Sequence, residues 1–113
     1  MNKFTKFLYA LLIIIAFTVG VAYSQVKVIY FNASWNEAND VEWFNKLSDA
    51  SKETKSIDEQ EIQKKYAIAI VPTIIVFDDD EEVKRFQADL SFKMVATRKE
   101  VQEYIDELIM SKF

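Results

Sequence analysis

The sequence contains no cysteine and no histidine, one glycine (Gly20) and one proline (Pro72). Without a thiol there is no disulfide, no thiol–disulfide exchange and no lipid attached through cysteine. Without cysteine or histidine there is also no zinc site of the Cys/His kind and no His-based catalytic triad. A lone glycine cannot build a Gly-rich phosphate loop. Basic charge is scarce as well: 14 Lys and Arg stand against 18 Asp and Glu, for a net charge of −4. Leaving out Lys3 and Lys6, the basic residues of the first segment, moves that charge from −4 to −6. An acidic domain with no basic cluster is not built for nucleic acid or for anionic lipid.

What is present divides the chain in two. Met1–Lys6 is basic, Phe7–Ala22 is uncharged and apolar, and Ala22-Tyr23-Ser24 places small residues at a cleavage position before Gln25. This order is that of a secretory signal over residues 1–24, which predicts a periplasmic or secreted domain over residues 25–113. The competing reading is an uncleaved anchor, because the uncharged stretch approaches spanning length; contact with a membrane follows only if residues 7–24 stay uncleaved.

The domain after Gln25 shows no repeat and no linker. Val26–Phe31 is apolar on both faces apart from Lys27, which predicts a buried central strand. Asn36, Asn39 or Asp40 is placed to cap a helix carrying Val41, Phe44 and Leu47. A polar strand is predicted over Thr54–Asp58, and Asp58 with Glu61 forms a capping-box pair before a short helix. Thr73–Phe77 is a second apolar strand, Asp78–Glu82 a turn and Val83–Ala88 the return strand of a hairpin. Thr97 and Glu100 make another capping-box pair, ahead of an apolar face at Val101, Tyr104, Ile105, Leu108 and Ile109. The order βα, βα, ββα predicts an α/β fold: a mixed four-stranded sheet with helices on both faces.

This order resembles the thioredoxin-like fold in its minimal form, and local matches carry the resemblance. Phe31-Asn32-Ala33-Ser34-Trp35 is similar to the strand-to-helix segment ending in the family's tryptophan. Tyr66-Ala67-Ile68-Ala69-Ile70-Val71-Pro72-Thr73 is similar to the family's Tyr-Gly-Ile-x-x-Ile-Pro-Thr stretch, which implies a cis bond before Pro72. On this match the two motif cysteines fall at Asn36 and Asn39, and the family's buried acid falls at Tyr30. An amide can be neither the thiolate nor the resolving thiol, so the resemblance implies a kept fold and a dismantled redox centre. Asn36 remains suited to cap the helix that follows.

The expected function is therefore not enzymatic and needs no cofactor and no metal. The acid run Asp78–Glu82 lacks the spacing and the glycine of a calcium loop and reads as a solvated turn. The resemblance places a binding groove at Trp35, Asn36, Val71 and Pro72, with Leu90 and Phe92 of a long loop beside it, for a peptide or protein segment. The apolar loop Leu90–Val95 has two readings: a rim that meets a partner, or an inward fold replacing the family's first strand and helix. The alternatives to a binding module are a structural or assembly subunit and, less in keeping with the composition, a non-thiol enzyme on the same scaffold. An open groove at Trp35, Asn36 and Pro72 favours binding over assembly.

Overall fold

The computed structural model describes residues 25–113; the targeting segment expected over residues 1–24 lies outside the described residues. Strand β1 (Val26–Asn32) is followed by two short 3-10 helices (Ser34–Asn39 and Glu42–Lys46), β2 (Ser51–Ser56) and helix α1 (Gln60–Lys65). Then come β3 (Thr73–Asp78), β4 (Glu81–Gln87) and helix α2 (Arg98–Met110). The sheet order is β2-β1-β3-β4, with β1 parallel to β2 and antiparallel to β3, and β3 antiparallel to β4. No helix among the described residues is long and apolar enough to cross a membrane.

The two-sided apolar character of β1 follows from its place, because it has strands on both edges and a packed layer on each face. On one face Val26, Val28 and Tyr30 meet Ile74 and Val76 of β3, covered by Val41, Phe44 and Leu47 and by Val101 and Ile105 of α2. On the other, Ile29, Phe31 and Ile75 meet Ile68 and Val71, with Ile62 and Tyr66 of the α1 region packed over them. Full burial of side chains of this size contributes about 1.5–3 kcal/mol each, so these two layers dominate the stability of the sheet. The polar strand β2 is an edge strand, and its exposed Lys and Glu residues discourage pairing with another chain.

Helix α2 begins as its capping box requires: the Thr97 hydroxyl accepts from the Glu100 N–H at 3.2 Å. Val101 and Ile105 are fully buried, while Tyr104, Leu108 and Ile109 pack at the edge of the same core.

Four local expectations are corrected. The stretch that Asn36, Asn39 or Asp40 should cap is not one α-helix but the two 3-10 segments, and the residue ahead of the first is Ala33, with no side-chain cap. Asn and Asp compete with helix by bonding to neighbouring groups, and here their side chains bond to one another. The Asp58–Glu61 capping box does not form either: α1 starts after Glu59 with no side-chain cap, and the Asp58 carboxylate accepts instead from the Ser34 N–H at 3.3–3.4 Å. Strand β2 runs three residues further toward the N-terminus than expected and stops at Ser56. The hairpin turn is confined to Asp79 and Asp80, both at positive φ, while Glu81 and Glu82 already pair in β4. Aspartate tolerates that left-handed conformation better than most residues, which is how the hairpin closes without glycine.

Candidate functional site

The site lies where β1 ends. Asn32, the last residue of β1, is buried and polar at the tip of an apolar strand, and Asn36 is buried four residues later. The Asn36 side-chain amide donates to Asn32 Oδ1 at 3.0 Å and to the Phe92 carbonyl at 3.1 Å. Its oxygen accepts from Asn39 Nδ2 at 2.8 Å. Asn32 Nδ2 in turn donates to the Asn36 carbonyl at 3.2 Å and to Asp40 Oδ1 at 2.6 Å. Tyr30 donates its hydroxyl proton to the same Asp40 oxygen at 2.7 Å and accepts from the Val41 N–H at 3.1 Å. No buried side-chain nitrogen or oxygen among the described residues lacks a partner. This closed network is a rigid element, because each member would leave another unsatisfied if removed.

Burial, and secondly donation to Asp40, hold the Tyr30 hydroxyl well above the usual tyrosine range, so it is a neutral donor at any ordinary pH. Tyr30 and Asn32 thus keep Asp40 folded back onto the strand. Sequence reasoning placed Tyr30 where the resemblance has an acid, but it did not find that Asp40 brings a carboxylate back to it from the connecting segment. The one sequence signal for the network was Asn32, a polar residue closing an apolar run.

The network joins two parts of the chain. The Asn36–Phe92 hydrogen bond ties the Trp35 segment to the loop after β4, and the Trp35 and Phe92 rings meet edge to face at 5.0 Å. That loop is ordered around Asp89, whose carboxylate accepts from the Ser91 hydroxyl and N–H and from the Lys93 N–H. These bonds, led by that of the Ser91 hydroxyl, hold the Asp89 carboxyl below the usual carboxylate range.

The six residues expected to form the groove divide into two sets. Trp35 is 63% exposed and Leu90 92%, and Phe92 is also exposed. Asn36, Val71 and Pro72 are buried. The Val71–Pro72 peptide bond is cis, and the Pro72 carbonyl accepts from the Ala88 N–H at 3.0 Å. With Val71 only 1% exposed, its main chain is no open edge for a strand to lie on. The loop satisfies both readings in part: Met94 packs against the core, whereas Leu90, Phe92 and Val95 point outward. Trp43 is half-buried against the α2 side of the core.

Searches of protein families and of curated proteins find no match to this sequence. Solved structures do match. A mutant thioredoxin from Halobacterium salinarum superposes with a TM-score of 0.58 at 22% identity, covering 77% of each chain. Thioredoxin from Schistosoma mansoni gives 0.59 at 20% identity, over 82% of this chain and 85% of that one. Thioredoxin O2 from Arabidopsis thaliana in its oxidised state gives 0.52 at 20% identity, over 75% and 76%. The chain has a thioredoxin-like α/β fold. It has that fold without a single cysteine, so the thiols of thioredoxin chemistry are replaced.

Proposed function

We propose that this chain is a binding module on a thioredoxin-like scaffold, without thiol–disulfide oxidoreductase activity, which holds a peptide or protein segment outside the cytoplasm. The observation that carries the reading is the exposed apolar rim: Trp35 against Phe92, with Leu90 and Val95 on the same loop. Large apolar side chains held rigid at a surface mark interaction sites, and a fixed tryptophan loses little entropy on contact. The amide network supports this reading because it fixes both halves of the rim at a place where no redox step uses it. The contact in this proposal is the rim, with Asn36, Val71 and Pro72 as its buried support.

The assembly-subunit reading draws on that buried floor, since a closed groove leaves the rim to meet another folded surface. A panning experiment with the full chain and a random peptide library decides between them. Recovered peptides should bind Trp35→Ala and Phe92→Ala at least tenfold more weakly, with unchanged circular dichroism. Recovery of no peptide, together with a concentration-dependent oligomer lost in Trp35→Ala, establishes assembly instead.

A further inference from the structure

The two edge strands of the sheet, β2 and β4, are not alike. On β4 the pairing register slips beside Val76 and Phe77, and the Val83 carbonyl accepts from the Tyr104 hydroxyl at 3.2 Å. A bulge and a covered main chain are among the devices that close an edge to further strands. Strand β2 has neither. It pairs with β1 without a break from Ser51 to Ser56, and all its residues but Lys55 are exposed. Just past its end the Ile57 N–H donates to the Asn32 carbonyl at 3.0 Å, so by alternation the main chain of Ser51, Glu53 and Lys55 faces β1. The N–H and C=O groups of Lys52, Thr54 and Ser56 therefore face outward, and no strand among the described residues lies beyond them.

We propose that the occupant of this edge is the β2 strand of a second copy of the chain, antiparallel, with Thr54 on the two-fold axis. In that register Thr54 meets its own counterpart and Lys52 meets Ser56, both as hydrogen-bonded pairs. Glu53 then stands opposite Lys55 in a non-hydrogen-bonded pair, where side chains come closest. The charges that turn away an arbitrary strand are thus complementary to themselves. The neighbouring registers are not. Moving one pairing step either way sets Glu53 or Lys55 against its own counterpart, and like charges directly opposite destabilise a sheet. Lys52 is drawn back from the edge, its ammonium donating to the Asn45 and Leu47 carbonyls at 2.7 and 2.8 Å. Within one strand Glu53 lies 3.8 Å from Lys55 and 3.3 Å from Lys27, so the pairing closes a ring of alternating charge. Such a contact is isologous and stops at two copies, because each uses its one open edge. It is separate from the Trp35 rim and does not depend on the reading given to it.

The test is sedimentation equilibrium of the full chain, with circular dichroism to check the fold of each variant. The parent should dimerise as its concentration rises. Glu53→Lys alone and Lys55→Glu alone should each weaken the dimer at least tenfold, because each sets like charges opposite one another. An equimolar mixture of the two single variants, and the double variant by itself, should recover association to within a few-fold of the parent. Trp35→Ala should leave it unchanged. Thr54→Cys, in a chain with no other thiol, should give a disulfide-linked dimer under mild oxidation, since hydrogen-bonded antiparallel pairs hold their Cα atoms about 5.5 Å apart. Should a charge variant not fold, that cross-link decides, and its absence overturns the proposal. A parent that stays monomeric at every concentration, a dimer that survives either charge change, single variants that do not associate on mixing, or a dimer lost in Trp35→Ala would each overturn it as well.

Discussion

Asn36, which the sequence resemblance sets at one of two motif-cysteine positions, has in this structure the chemistry of a hydrogen-bonding hub. It donates twice and accepts once while buried. Truncation to alanine removes one residue but strands three partners, at a cost of about 1–3 kcal/mol. Urea unfolding of Asn36→Ala should show that loss, and Asn39→Ala, which is less buried and strands only one acceptor, should lose less. Tyr30 gives a second residue-scale prediction, in pH. Above about pH 10 the unfolded chain releases this phenolic proton while the folded chain retains it, so the folded state binds more protons and stability falls as pH rises. Urea midpoints at about pH 9 and about pH 11 should therefore diverge more for the parent than for Tyr30→Phe. Equal divergence would mean that the hydroxyl is not held in its neutral form.

Among the elements, the end of α1 shows how the fold manages with almost no glycine. Ala67 has φ +50°, with its N–H on the Lys64 carbonyl at 3.2 Å, and the Ile68 N–H reaches the Gln63 carbonyl at 3.0 Å. That is a complete Schellman ending, with alanine in the left-handed position that glycine usually fills. Arg85 fastens it from β4 by donating to the Tyr66 and Ala67 carbonyls at 2.8 and 2.9 Å. Ala67→Gly should relieve the Cβ penalty and raise stability by about 1 kcal/mol, less the added freedom of the unfolded chain. A lower melting temperature in that variant would contradict the assigned backbone geometry.

Legibility of the elements followed their apolar content. The strands β1 and β3 could be read from sequence because they are apolar on both faces, and helix α2 because its apolar residues recur on one face. The segment from Ser34 to Lys46 could not. Its asparagines and Asp40 suit both a helix cap and a side-chain network, and only the positions of Asn32, Tyr30 and Phe92 in space select the network.

For the whole molecule, the topology was legible because a central two-faced strand, a short crossover and a terminal hairpin with helix leave few arrangements. The site was legible only as a location. Trp35 and Phe92 lie 57 positions apart in the sequence, and no local pattern says that their rings touch. Nor does the sequence say that Val71 and Pro72 lie beneath the surface rather than on it.

The central claim is that Asn36 is a latch, which holds the loop of Phe92 against Trp35. Hydrogen exchange of the full chain tests it most directly, with Asn36→Ala compared to the parent at single-residue resolution. The account predicts that the Phe92 and Lys93 amides exchange roughly tenfold faster in the variant, beyond any change in β3, as loss of about 1.4 kcal/mol of local stability requires. Loop amides that keep their parent rates relative to β3 would contradict it, because the loop would then stand without the latch.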